Sequence, residues 1–256
     1  MLLNKLPEKD FAVLRGSLES GRQSPSSLGI VLVLFTILQP LVFFLVYWVG
    51  ADKSNFPYIN IIFSIHLVIT ILLIVFSTIY AVPFVYKKSQ KIQYLIITLA
   101  SQNLGGLCFY IMGLFIIGKE VYTTDPSILT FTLVTLLFGL LIFLITSIRF
   151  YRLLIKGAYR ADSRKDKVRN RYETKSYLPT ALIAGLAIVY IIQYFARTTY
   201  TFDINSLTLI LIGPILFYAM LFVLPEQLVI LYCKYRFESF NFNKNEELNP
   251  MGRKGA

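Results

Sequence analysis

Residues 59–91 read INIIFSIHLVITILLIVFSTIYAVPFVYKKSQK. The run from Ile59 to Pro83 holds no lysine, arginine, aspartate or glutamate, and Lys87, Lys88 and Lys91 come directly after it. About 20 apolar residues, rising about 1.5 Å each, cross the roughly 30 Å hydrocarbon core of a bilayer. The stretch therefore predicts a membrane-spanning helix that ends in a cationic anchor. Working outward, five further runs have the same character: Gly29–Val49, Tyr94–Ile117, Ser127–Ile148, Leu178–Ala196 and Leu207–Tyr232. None of the six contains a lysine, an arginine or an aspartate. Charge at the bilayer centre is expensive, so its absence across six runs separates them from the buried helices of a water-soluble core. The expected fold is all-α, a polytopic transmembrane helical bundle of about six spans. Residues 1–28 precede the transmembrane domain at 29–232, and 233–256 form a polar tail.

Orientation comes from the basic residues. Twenty-two of the 25 lysines and arginines fall in the N-terminal segment, the second and fourth connections and the C-terminal tail. The other three connections hold only Lys53, Lys119 and Arg197, together with Asp52, Glu120, Asp125 and Asp203. Positively charged connections stay inside, which predicts a multi-pass protein of the cell membrane with both termini cytoplasmic. The net charge of +11 then reads as an anchor facing anionic lipid headgroups, not as a nucleic-acid footprint. Val49-Gly50-Ala51 faintly resembles a signal-peptidase site, but the preceding run is too long for a signal core and is expected to stay as an uncleaved anchor. No lipidation box stands at either end of the sequence. The abundance of Ile, Lys, Phe, Tyr and Asn fits an AT-rich bacterial coding sequence.

Several chemistries lack their ingredients. A single histidine, His66, excludes paired axial haem ligands and an H-E-x-x-H zinc helix. No nucleotide-binding G-x-x-x-x-G-K-[ST] and no G-x-S-x-G elbow occur. The two cysteines, Cys108 and Cys233, fall in different spans at opposite depths, so no internal disulfide is expected. The chain is expected to be no enzyme and to need neither metal nor cofactor.

The polar residues inside the spans are candidates for binding or conduction: Gln39, His66, Gln102, Asn103, Gln193 and Glu226. Such groups face a bundle interior, and their blander role is interhelical glue at about 0.6–2 kcal/mol per hydrogen bond. Helical rise places Glu226 about 30 Å along its span, at headgroup level. Close helix contacts are marked by Ser101/Gly105 with Gly106, by Thr135/Gly139 and by Ala181/Gly185, faces compatible with self-association. Phe109-Tyr110-x-Met112 is echoed by Phe217-Tyr218-x-Met220, the one hint of an inverted repeat.

At the ends, Phe11, Leu14 and Leu18 fall near one helical face, which predicts an amphipathic helix lying on the inner leaflet. Ser24-Pro25-Ser26-Ser27 reads as a hinge and Asn241–Ala256 as a disordered tail. The longest polar connection, 149–177, begins as an extension of the fourth span. It carries Arg160, Arg164, Lys165, Lys167, Arg169, Arg171 and Lys175 as a candidate docking surface for a protein partner or acidic lipid. Two functional readings result. The first is a membrane protein that acts through a partner, as the membrane subunit of an exporter or as a self-immunity protein that engages a toxin peptide in the bilayer. The second is a stand-alone transporter or channel for a small solute.

Overall fold

In the computed structural model, residues 3, 6–119, 125–164, 167 and 204–252 are described. They are helical, without a strand; an isolated antiparallel bridge joins Phe242 to Leu248. Five helices among them are long and apolar enough to cross a membrane. These are α1 (Pro25–Gly50), α2 (Ile59–Ala81), α3 (Gln90–Ile117), α4 (Asp125–Ile155) and α5 (Ile204–Arg236). The run Leu178–Ala196, with Gln193 and the Ala181/Gly185 pair, lies outside the described residues, as do Lys165, Arg169, Arg171 and Lys175.

Local sequence explains where the helices start and stop. Ser24 is the N-cap of α1, its side chain accepting from the Ser27 amide at 3.3 Å, and Pro25 occupies the first helical position. The expected hinge is therefore a rigid cap. Pro83 ends α2, because the residue before a proline is pushed out of the helical region, and Val82 is extended at ψ 127°. Pro40, Pro214 and Pro225 lie within helices.

The helix α3 occupies the centre. More than half of its apolar window (56%) is buried, against 22% or less in the other four helices. It packs on the α1–α2 hairpin on one side and on α5 on the other, while α4 lies against α5. The two Phe-Tyr echoes meet here: Tyr110 stacks on Phe217 with ring centroids 4.6 Å apart. α5 runs antiparallel to α3. It runs parallel to α4, since Gly139 adjoins Phe217 and Leu221 while Phe150 and Leu153 share a cavity wall with Phe222 and Glu226.

At the basic end the two terminal segments fold onto the bundle. Residues Glu8–Arg15 form a 3-10 turn followed by a short helix, Gly16–Glu19. With three residues per turn, Phe11 and Leu14 share a face. This corrects the expectation of a lipid-facing helix. Phe11, Leu14 and Leu18 are almost wholly buried, against Phe150, Leu154, Tyr159, Cys233 and Phe240. The extension of α4 and the tail offer that apolar face a protein surface, so lipid is not needed to cover it. The backbone of Val13 donates to the Tyr159 carbonyl at 2.9 Å, and Arg160 pairs with the buried Asp10 at 2.6 Å.

The tail is likewise ordered through residue 252, contrary to expectation. Phe240 and Phe242 enter the same cluster, and Gln90 brackets the Phe242 backbone with two hydrogen bonds of 2.8 Å. Lys234 is buried and donates to the Phe240 carbonyl at 3.0 Å, while Asn241 donates to the Lys234 carbonyl at 2.8 Å. Arg15 reaches the Asn249 carbonyl at 3.0 Å, and Lys87 and Lys91 pair with Glu246 and Glu238. Aromatic residues supply the burial, and polar side chains satisfy the backbone that burial would otherwise strand.

Candidate intramembrane polar site

The interface of α1, α2 and α3 holds a buried polar cluster built around His66. Along α2 the inward positions are His66, Thr70, Leu73 and Ser77, a helical spacing that turns three polar groups into the bundle. His66 Nε2 lies 3.1 Å from Asn103 Oδ1, and Tyr47 Oη lies 3.0 Å from Nδ1. An amide oxygen only accepts, so this pairing puts the imidazole proton on Nε2 and leaves Nδ1 to accept from the tyrosine hydroxyl. Asn103 Nδ2 reaches Thr70 Oγ1 at 3.5 Å. In its neutral form the ring thus uses both nitrogens.

Tyr47 and Asn103 both lie in π-helical stretches, Leu45–Gly50 of α1 and Asn103–Leu107 of α3. A π turn inserts an extra residue and rotates the rest of the helix about its axis, and such turns concentrate at functional sites. Cys108, the first residue after the second stretch, places its sulfur 3.6 Å from His66 Nε2. The thiol faces a nitrogen that already carries its proton, so the arrangement does not activate it as a nucleophile.

Gln39 is fully buried, and neither its amide nitrogen nor its amide oxygen has a hydrogen-bond partner among the described residues. The contacts of Tyr47 with His66 and of Gly29 with Ala81 fix the antiparallel register of α1 on α2 and bring Gln39 to the depth of Leu73. Gln102 faces the other way. Its amide donates to the Met220 carbonyl and to Gln227 Oε1, each at 3.2 Å, tying α3 to α5. The sequence candidates Gln39, His66 and Asn103 therefore fall in one interface and Gln102 in another.

Glu226 is far from both. It lines a cavity of about 230 Å³ between α4 and α5 at the basic end, with Arg149, Tyr159 and Phe222. Burial pushes the Tyr159 phenol well above its ordinary range; the Glu226 carboxylate adds to this, and Arg149 opposes it. Of the candidate docking residues, Arg160 is held by Asp10, while Arg164 and Lys167 are exposed.

The cluster also includes residues that the sequence does not single out. Tyr47 and Thr70 carry no signal of their own in an aromatic-rich, apolar chain. Cys108 stands out in the sequence only as half of an unlikely disulfide pair. The modest scale of intramembrane hydrogen bonds sets the expected result for Asn103→Leu: a loss of about 1 kcal/mol in stability, partly recovered when His66→Phe is added. A double-mutant cycle on the purified protein measures it, and strict additivity would dismiss the pairing. No protein-family model, curated protein or solved structure matches this chain.

Proposed function

We propose that this chain is a non-catalytic, multi-pass protein of the cell membrane that works by engaging another protein or peptide. It would act as the membrane subunit of an exporter or as a self-immunity protein against a membrane-active peptide. The observation that carries the reading is the interlocked basic end. Residues 6–19, the extension of α4 and the 237–252 tail form one packed platform, with Arg164 and Lys167 exposed beside it. A rigid cationic platform suits docking, because its partner meets a preformed surface. The positive-inside bias supports a cytoplasmic location for this platform and for both termini. The parallel course of α4 and α5, with the apolar run Leu178–Ala196 between them in the sequence, supports the reading of six spans.

The test is complementation of a deletion strain. R164E/K167E is expected to lose function by at least about tenfold, while His66→Ala and Glu226→Gln, at normal abundance, complement fully. Arg160 is left intact in this test because it latches Asp10. Loss in both intramembrane variants with a silent charge reversal would overturn the proposal. One observation favours a small-solute carrier as second reading: the Gln39 amide in the buried α1–α2 interface, without a partner among the described residues, is what a polar solute or water would satisfy. Solute uptake by the purified protein in liposomes would establish it.

A further inference from the structure

A cleft opens at the end of the bundle opposite the basic platform, and its two halves differ in chemistry. The apolar half, about 450 Å³, runs between the ends of α1 and α2 and is walled by Phe43, Phe44, Tyr47, Trp48 and Phe63. The polar half, about 770 Å³, adjoins it through Tyr47, Trp48 and Ala51 and is bordered by Asp52, Lys53 and Lys119. The π-helical stretch Leu45–Gly50 divides its aromatic residues between two directions. Tyr47 reaches inward to His66, while Trp48 is 72% exposed and stacks on Phe44 at 5.5 Å.

The mouth is held in place by the connection after α1. Ser54 donates to the Phe115 carbonyl at 2.6 Å, and the Asn55 amide donates to the Gly118 carbonyl at 2.8 Å. Gly118 is needed there, since a Cβ would come within 2.5 Å of Ser54 Oγ and 2.9 Å of the Phe56 amide. Lys119 spends one of its three donors on the Val49 carbonyl at 2.8 Å, its one hydrogen bond to the described residues. These ties bring Lys53 and Lys119, from two different connections, to one opening. The three connections poor in basic residues hold Lys53, Lys119 and Arg197 in the sequence, and the first two border the cleft.

We infer that the cleft binds an anionic glycerophospholipid, its phosphate between Lys53 and Lys119 and one acyl chain along the aromatic groove. A free anion would have no use for the groove, and an uncharged apolar molecule none for the lysines. The cleft sits where the helices end, the depth at which a phospholipid changes from chain to headgroup and at which aromatic residues gather. Among the described residues that border the polar half, Asp52 stands against two lysines.

Trp48 is the only tryptophan in the chain, so its fluorescence reports on this cleft alone. The protein is reconstituted in phosphatidylcholine vesicles containing phosphatidylglycerol or phosphatidylcholine with brominated acyl chains. Half-maximal quenching is expected at a mole fraction of phosphatidylglycerol at least about fivefold lower than that of phosphatidylcholine, the scale of one basic residue at a membrane surface. K53Q/K119Q is expected to abolish the preference while keeping the phosphatidylcholine curve, and K53R/K119R to retain it. The basic platform lies at the other end of the bundle and acts on the other leaflet. Equal curves for the two lipids in the wild-type protein, or a preference that survives K53Q/K119Q, would overturn the assignment.

Discussion

Gly213→Leu is expected to cost on the order of 3 kcal/mol and to detach α5 from α3. A Cβ at this position would lie 2.5 Å from the Phe109 carbonyl oxygen and 3.3 Å from its carbon. The obstacle is backbone, which cannot swing aside as a side chain can. Gly105 and Gly106 present a softer case, since a Cβ there meets the flexible Met220 side chain at 3.3 Å. Forcing α5 outward also separates Tyr110 from Phe217 and draws Met220 and Gln227 away from Gln102. Thermal unfolding of the purified protein, followed by retention of the monodisperse form, gives the measure. Ile215→Leu, at a residue that is 62% exposed, is the matched control and should be silent. Equal behaviour of the two variants would refute the packing of α5 on α3.

Arg160→Ala should release the N-terminal segment from the platform. Asp10 is buried, and the guanidinium of Arg160 at 2.6 Å is its cation. Removing one partner of such a pair leaves a charge without compensation, at about 3 kcal/mol for a fully buried pair. Because Arg160 is itself half exposed, a loss nearer 2 kcal/mol is expected, on the same scale. Amides between Phe11 and Leu18 should exchange with solvent at least tenfold faster, while those of α3 keep their protection. Adding Asp10→Asn should restore part of the protection, because a neutral amide tolerates burial better than an unpaired carboxylate. Unchanged exchange in Arg160→Ala would mean that the apolar cluster alone holds the segment.

Five of the six apolar runs were legible as long helices, because a run such as Ile59–Pro83 has few alternative readings; the other, Leu178–Ala196, lies outside the described residues. The register of Phe11, Leu14 and Leu18 was legible too, but their surroundings were not. An apolar face does not say whether lipid or protein covers it, and Phe150, Leu154, Tyr159 and Phe240 come from distant parts of the chain. The tail from Asn241 looked disordered because its polar residues outnumber its apolar ones; Phe242 within it, with Phe237 and Phe240 just ahead of it, was enough once Gln90 and Asn241 satisfied the backbone between them. The cluster at His66 was half visible. Its histidine and asparagine stood out against apolar spans, whereas Tyr47 reaches the ring from a π-helical stretch that no periodicity announces. Gly213 was missed because it has no small residue four positions away.

The central position of α3 has a consequence for how the chain is made. Its apolar window has a mean hydropathy of 1.5, the lowest of the five, whereas α1 and α2 reach 2.6 and 2.7. Gln93, Gln102 and Asn103 make it a poor candidate for entering lipid alone. The α1–α2 hairpin precedes it in the chain and already carries its partners: Thr70 and His66 for Asn103, and the Pro25 and Tyr80 carbonyls for Gln93. During synthesis the hairpin can therefore serve α3 as solvent. A ribosome-bound chain lacking α1 and α2 should then leave α3 stalled at the insertion machinery, although every residue of α3 is present.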